Sequence, residues 1–343
     1  MQNRIKLLVL AVTCVLGMAA TATAQNFPSR PITIVVPFAA GGPTDTVARI
    51  VAEHMRTSLG QPLIVENVVG ASGTVGTGRV ARAAPDGHTV IVGFWGTHVL
   101  NGALFTLQYD VLKDFAPIAL LATNPQLIVA RNALPPTDLN ELIAWLKANP
   151  GKASQGTAGV GSPAHVGGVF FQNMTHTQFQ FVPYSRGAAP AMQDLIAGQI
   201  DLMFDQASHS LPHVRNGSIK AYAVTAGARL PSAPEIPTVD EAGLPGLHVS
   251  VWSGMWAPKA TPKPIMMKLN DAVASALADP RVKKRLADLG QETPVRELQT
   301  MEGFAAFQKA EIDKWWPIIK AANVRGESVG DAARGGSPSK EIP

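Results

Sequence analysis

The stretch from Val36 to Arg49 constrains the fold most, because it joins a buried strand to a helix through a glycine turn. An uninterrupted β-branched run precedes it, as is typical of a strand in a parallel sheet. Gly41 and Gly42 permit a tight turn, and Pro43 suits the first position of a helix. The pattern predicts a helix N-terminus at the carboxyl end of a strand. Such a terminus either binds an anion through its free N–H groups or is an ordinary turn between strand and helix.

The same alternation of strand and helix continues along the chain, whose 343 residues leave room for one large or two medium domains. Apolar runs predict further strands at 62–66, 88–94, 115–131, 153–157, 180–182, 200–204, 219–225 and 251–256. This order predicts parallel sheets with right-handed crossovers. The long run at 115–131 is interpreted as a strand that leaves one domain and enters a second. The proline-rich segment 231–245 is interpreted as the return crossing, before helices at 264–278, 280–289 and 300–322.

The first 24 residues have the pattern of a secretory signal peptide. An apolar run at 7–20 follows two basic residues and is too short to span a membrane. Small residues that end at Ala24 form a cleavage site, so we expect a mature chain that begins at Gln25. Cys14 is the only cysteine and would be removed with the peptide. The mature protein is therefore expected to have no disulfide, no lipid anchor and no cysteine metal site.

Charge and motifs argue against several classes of function. The formal net charge is +4, and it falls to +2 when Arg4 and Lys6 are removed with the signal peptide, because 27 basic residues then accompany 25 acidic ones. No basic cluster is interleaved with aromatic residues, so nucleic acid is not an expected partner. The glycines of 70–78 lack dinucleotide and P-loop spacing, and no nucleophile elbow or zinc-protease motif occurs. We expect no metal, no cofactor, no catalysis and no membrane-spanning helix in the mature chain.

A resemblance to a known family begins with the stretch from Pro37 to Arg49. It is similar to the signature loop of the Bug receptors, which are the periplasmic solute-binding proteins of tripartite tricarboxylate transporters. The similarity covers roughly residues 28–325 and rests on many motifs in one order: Glu66-Asn67, Tyr109-Asp110, Lys113-Asp114-Phe115, Asn149-Pro150-Gly151-Lys152, Gly161-Ser162 with His165, Val182-Pro183-Tyr184, Asp194-Leu195 with Gly198, and Pro237-Thr238-Val239 with Ala242-Gly243-Leu244-Pro245.

This resemblance implies an α/β fold of the bilobed, type II-like periplasmic binding protein class, with two parallel or mixed-sheet lobes and a ligand cleft between them. It implies a signal peptide at 1–24, lobe 1 at 25–125, lobe 2 at 126–226, a crossing back that completes lobe 1 at 227–325, and a disordered tail at 326–343. The implied ligand is a small mono-, di- or tricarboxylate. The implied partner is a two-component membrane permease, and the receptor is expected to be a monomer that closes like a Venus flytrap.

The helix starts and the resemblance together predict a set of ligand-binding residues. These are Phe38, Gly41, Gly42, Pro43, Thr44, Asp45, Trp95, Thr97, Gly161, Ser162, His165, Tyr184, Arg186, Gly187 and Asp205. Two helix N-termini, at 42–45 and 162–165, are expected to face each other and to bind one carboxylate each. Neither stretch contains lysine or arginine, so backbone N–H groups are expected to do most of the binding.

Several of these residues have a structural interpretation beside the functional one. Ser162 is a good N-cap, and His165 either orients its loop or meets the ligand. Asp45 is more plausible as an acceptor of N–H bonds from its own loop than as a contact to an anion. Trp95 either forms the floor of the binding site or packs in the core. Arg186 lies in a loop one residue longer than the family pattern, where it either binds a carboxylate or is solvated.

Two other functions remain open at this point. The same fold serves as a ligand sensor that presents its closed form to a sensor kinase, and the sequence barely separates sensing from transport. A periplasmic hydrolase is the other alternative, since the chain has eight histidines and many serines. No catalytic motif supports it.

Overall fold

The computed structural model describes residues 27–184, 188–322 and 324–325. Within them, the strands are β1 (Ile32–Val36), β2 (Leu63–Asn67), β3 (Thr89–Phe94), β4 (Phe115–Arg131), β5 (Ser154–Thr157), β6 (Gln180–Pro183), β7 (Leu202–Gln206), β8 (Ile219–Val224) and β9 (Ser250–Pro258). The helices are α1 (Pro43–Leu59), α2 (Thr74–Ala81), α3 (Asn101–Leu104), α4 (Leu139–Ala148), α5 (Pro163–Thr175), α6 (Ala188–Ile196), α7 (Ala207–Arg215), α8 (Lys263–Ala278), α9 (Pro280–Asp288) and α10 (Met301–Ala321). The predicted signal peptide and the predicted disordered tail lie outside the described residues.

All the strands join one sheet in the order β2-β1-β3-β9-β4-β7-β5-β6, with β8 paired to β4. The pairs β1–β2, β1–β3, β5–β6 and β5–β7 are parallel, as the alternation of strand and helix predicts. The pairs that involve β4 or β9 are antiparallel. The fold is therefore α/β with a mixed sheet.

The 17-residue strand β4 divides this sheet into two sections. Its first part, Phe115–Pro125, pairs with β9, and its last part, from Gln126 on, pairs with β7 and β8. We call β1, β2, β3, β9 and the first part of β4 the first section, and β5, β6, β7, β8 and the last part of β4 the second section. The strand predicted at 115–131 coincides with β4, and the passage from one domain to a second stays a prediction.

Apolar side chains pack on both faces of the sheet. One cluster lies between the first section and helices α1, α8 and α9, and another lies between the second section and helices α6 and α7. A third cluster runs from the first section, where Trp315 of α10 packs on Trp95, to Phe171 of α5 and Phe204 of β7. Each large apolar side chain buried in this way contributes about 1.5–3 kcal/mol to stability.

The return from the second section to the first occurs later in the chain than predicted. The proline-rich segment after β8 first runs along that strand, where the Val239 N–H donates to the Val224 carbonyl at 2.9 Å. Its apolar residues Leu230 and Ile236 pack in the cluster of the second section. The chain then enters β9 at Ser250. Most of the segment consists of turns rather than extended backbone, and its buried leucine and isoleucine hold it against the second section.

Three helical stretches were not predicted, one of them the short 3₁₀ helix Arg296–Gln299. Residues Gly96–Leu100 form a π-helix that leads into α3, and α7 follows β7 directly although it contains Pro212. Among the described residues, no helix combines the length and the apolar character needed to cross a bilayer.

Candidate ligand-binding site

A cavity of about 610 Å³ lies at the carboxyl end of β1, where residues of both sheet sections meet. Its lining residues are Phe38, Ala39, Ala40, Gly41, Gly42, Pro43, Thr44, Phe94, Asn124, Gln206, Val251, Ser253 and Gln291. The predicted signature loop supplies one side of the cavity. None of the lining residues in the described part of the chain is acidic, basic or histidine.

The N-terminus of α1 opens into this cavity. Gly41 has a φ of +82°, which turns the chain from the strand into the helix, and Gly42 is the N-cap residue without a side chain to cap the helix. The first backbone hydrogen bond of the helix is donated by the N–H of Thr46 to the carbonyl of Gly42, at 2.9 Å. The N–H groups of Thr44 and Asp45 have no partner among the described residues. These donors and the helix dipole favour an anion at this end of the cavity.

The Asp45 carboxylate points into the loop rather than at the cavity. It accepts hydrogen bonds from the Gly41 N–H at 2.8 Å, from Arg49 Nε at 2.9 Å and from Asn67 Nδ2 at 2.9 Å. Asn67 Nδ2 also donates to the Phe38 carbonyl at 2.8 Å, so both sides of the turn are fixed. Burial raises the pKa of Asp45, but these hydrogen bonds outweigh it, and the pKa lies below its ordinary value. The carboxylate is therefore ionised at neutral pH and holds the loop in place.

The rest of the cavity has an apolar wall and a polar end. Phe38 and Phe94 form the wall with their rings edge to face and their centroids 5.1 Å apart, and Val251 continues it. Asn124, Gln206, Ser253 and Gln291 supply the polar end. The sequence analysis missed these four. The positions of Asn124, Gln206 and Ser253 on central strands were an available signal, because open α/β sheets bind ligands at strand ends, whereas Gln291 follows a helix and gave no such signal.

The comparisons with known proteins identify the family. The model of the tripartite tricarboxylate transporter family receptor matches residues 47–324. MatC of Rhodopseudomonas palustris, solved with bound malate, is 44% identical with a TM-score of 0.73, over 85% of this chain and 100% of MatC. The periplasmic binding protein BugD is 41% identical with a TM-score of 0.73, over 88% of this chain and 100% of BugD.

The chain belongs to the tripartite tricarboxylate transporter receptor family. A second R. palustris protein, solved with adipate, is 33% identical to this receptor with a TM-score of 0.76, over 87% of this chain and 99% of that one. The resemblance to the Bug receptors and the predicted fold class of a bilobed α/β periplasmic binding protein are thereby confirmed.

Two predicted site residues of this receptor lie in the core instead. Trp95 is fully buried and packs edge to face on Trp315, with the ring centroids 5.0 Å apart. Thr97 is also fully buried, where its hydroxyl bonds to the backbone of Phe94 and to His98. The helical turn after β3 was not anticipated, and it carries both side chains away from the strand end. Of the two interpretations of Trp95, core packing is the one that the structure supports.

The N-terminus of α5 does not line the cavity, contrary to the expectation of two facing helix starts. Ser162 caps this helix by accepting from the His165 N–H at 3.3 Å. The His165 ring orients the loop, because its Nδ1 accepts from the Gly161 N–H at 3.2 Å and its face meets Phe181. Burial lowers the pKa of His165, which keeps the ring neutral and able to accept. The loop itself rests on Leu104 of α3.

The other predicted residues of the second section form structural contacts. The Tyr184 hydroxyl donates to Asp194 at 2.6 Å, and burial together with that carboxylate raises the pKa of Tyr184 to about 12. Asp205 is buried and accepts from His209 Nδ1 and from the Ser210 hydroxyl, each at 2.7 Å. Neither residue lines the cavity. Arg186 and Gly187 lie outside the described residues.

Proposed function

We propose that this receptor captures a small organic acid, a mono-, di- or tricarboxylate, in the cavity at the N-terminus of α1. One carboxylate of the ligand accepts hydrogen bonds from the free N–H groups of Thr44 and Asp45. The observation that carries the proposal is this unpaired helix start at the wall of a cavity whose described lining has no charged side chain. The relatives solved with malate and with adipate support the same class of ligand.

The receptor acts by binding and release, without catalysis. A signal peptide cleaved after Ala24 delivers it to the periplasm, where it works as a monomer. The two sheet sections serve as the lobes, and they close over the ligand before the complex docks on a two-component membrane permease. The membership of the transporter receptor family supports this role over sensing.

The test is calorimetric titration of the purified mature protein with malate, succinate and adipate. At least one of them should bind, with one ligand per chain. Gly42→Val should weaken that binding about a hundredfold or more, because the branched side chain occupies the place of the carboxylate while the N-cap conformation, with φ of −73° and ψ of 168°, suits valine. The matched control is Gly227→Val, which lies outside the cavity in open surroundings.

Two results would contradict the proposed function. Binding restricted to amines or sugars would exclude a carboxylate receptor. Equal affinities of Gly42→Val and the wild type would show that the acid binds elsewhere on the protein.

A further inference from the structure

Two glutamines, one on each side of the boundary between the sheet sections, line the same cavity. Gln206 ends β7 in the second section and is also the N-cap residue of α7. Gln291 follows α9, which packs on the first section, and it is only 8% exposed. Both line the cavity, and neither belongs to the loop before α1 that supplies the helix N-terminus.

The backbone next to Gln291 packs closely against α7. Gly290 has a φ of +66°, and a Cβ at this position would lie 2.6 Å from Ser208 Cα in the first turn of α7. Only glycine fits there, since a side chain would both strain the backbone and collide with α7. Glu292 then bonds to Thr123 of β4 in both directions, at 2.8 and 3.0 Å. The loop after α9, which carries Gln291, therefore contacts both α7 and β4.

Asn124 fixes the orientation of Gln206. Its Nδ2 donates to Gln206 Oε1 at 3.2 Å and to the Ser208 hydroxyl at 2.7 Å. Because Oε1 of Gln206 is occupied, the Nε2 of that side chain remains as a donor for another group. No described residue bonds to this Nε2 or to the side-chain amide of Gln291. The cavity thus offers two neutral carboxamides, one from each section.

We infer that Gln206 and Gln291 are the specificity-determining pair for the far end of the ligand, an inference that rests on the proposed function. The near carboxylate binds the α1 terminus, and the far end binds the two carboxamides. Carboxamide N–H groups donate to carboxylate, carbonyl, hydroxyl and amide oxygens, most strongly to a carboxylate but without requiring a charge. The ligand class is therefore an acid with one obligatory carboxylate and a second oxygen-bearing end, which need not be charged.

The experiment compares three ligands of equal chain length on the mature protein. They are whichever of succinate and adipate binds more tightly, its monoamide, and the simple monocarboxylate, butanoate or hexanoate. We expect the monoamide to bind within about fivefold of the dicarboxylate, because neutral donors do not require a second charge. The monocarboxylate should bind at least about tenfold more weakly, since it leaves both carboxamides without a partner.

Variants of Gln206 and Gln291 test whether these two side chains cause the preference for the dicarboxylate over the monocarboxylate. Gln206→Met and Gln291→Met keep the length of the side chain but remove the amide. Each should weaken binding of the dicarboxylate about tenfold while the affinity for the monocarboxylate changes little. Gln291→Glu should reverse the order, so that the monoamide binds more than about tenfold tighter than the dicarboxylate, which the new charge repels. Gln193→Met, on the exposed surface of α6, is the matched control and should change nothing.

These ratios compare ligands on the same protein, so a loss of folded material does not mimic the effect. If both methionine variants keep the wild-type ratio of dicarboxylate to monocarboxylate, the pair does not bind the ligand and the inference is wrong while the proposed function stands. A monoamide that binds as weakly as the monocarboxylate would show that a second charge is required. If none of the acids binds to the wild type, the proposed function fails and the inference fails with it.

Discussion

At the scale of single residues, Asp45 shows how a charged side chain serves an anion site without touching the anion. The carboxylate is nearly completely buried, and it is paired with Arg49, whose side chain is about half exposed. It also accepts from the N–H of Gly41, in the turn whose residues Gly41 to Thr44 line the cavity. A carboxylate aimed at the ligand would repel it. Turned inward, the same group holds in place the loop whose N–H donors we propose bind the acid.

Asp45→Asn should lower the free energy of unfolding by about 2 kcal/mol, because an amide cannot accept all three hydrogen bonds that the carboxylate accepts. The loss should be largest at neutral pH. A carboxyl group with a depressed folded-state pKa stabilises the protein above its ordinary value of 3.8, and that contribution is lost as the pH falls through the folded-state pKa. Urea unfolding of wild type and variant between pH 7 and pH 3 measures both effects.

The control for this prediction is Asp288→Asn, which removes an exposed ion pair with Lys284. It should cost less than about 0.5 kcal/mol at any pH, because solvent screens such a pair. A constant difference between Asp45→Asn and the wild type down to pH 3 would contradict the role assigned to this carboxylate.

At the scale of elements, the sequence predicted most strands and helices because their apolar runs are long and regular. The strand at 115–131 agrees with β4 at both ends, and the glycine turn before α1 was read correctly from Gly41 and Pro43. The polar end of the cavity could not be predicted. Gln291 and Gln206 are 85 positions apart, and only the contact of the loop after α9 with α7 brings them together.

The two helix starts that looked alike in sequence differ in their surroundings. Both α1 and α5 follow a strand and a glycine loop and begin with proline. The α1 terminus has no side-chain cap and faces the cavity, whereas Ser162 caps α5 and the preceding loop rests on Leu104. The sequence could show that each start was possible as an anion site. It could not show which neighbour would cover it.

Ser162→Ala should lower the free energy of unfolding by about 1 kcal/mol, since it removes the cap of α5. It should change the affinity for an organic acid less than twofold, because Ser162 does not line the cavity. Thermal unfolding and calorimetric titration of one preparation measure both quantities. Thr300→Ala, which removes the cap of α10, is a matched control for the loss of stability. A tenfold loss of affinity in Ser162→Ala, without such a loss in Thr300→Ala, would show that the N-terminus of α5 takes part in ligand binding.

At the scale of the whole molecule, β4 runs through both sheet sections, and a backbone junction lies at their boundary. Strands β4 and β9 run side by side to the boundary, and the backbones of Gln126, Thr225 and Val249 are joined there by hydrogen bonds of 2.8 to 3.2 Å. The Thr225 hydroxyl adds bonds to the Gln126 and Val249 carbonyls. The cavity residues Asn124 and Val251 each lie two positions from this junction, so we expect any closure over a ligand to rotate about it.

We expect the protein to become more compact when an organic acid binds. Small-angle scattering should give a smaller radius of gyration at saturating ligand, and the ligand at about a hundred times its dissociation constant should add about 2.7 kcal/mol of stability. Wild type without ligand and Gly42→Val with ligand are the controls. An unchanged radius of gyration at proven saturation would show that the two sections do not close.

The central claim is that the acid binds between the N-terminus of α1 and the pair of glutamines. A crystal structure of the mature protein with the tightest-binding of malate, succinate and adipate tests it most directly. The account predicts one carboxylate within hydrogen-bond distance of the Thr44 and Asp45 N–H groups and the other end of the ligand between the carboxamides of Gln206 and Gln291. A ligand bound at the start of α5, or a carboxylate held by a basic side chain with the α1 N–H groups left free, would contradict it.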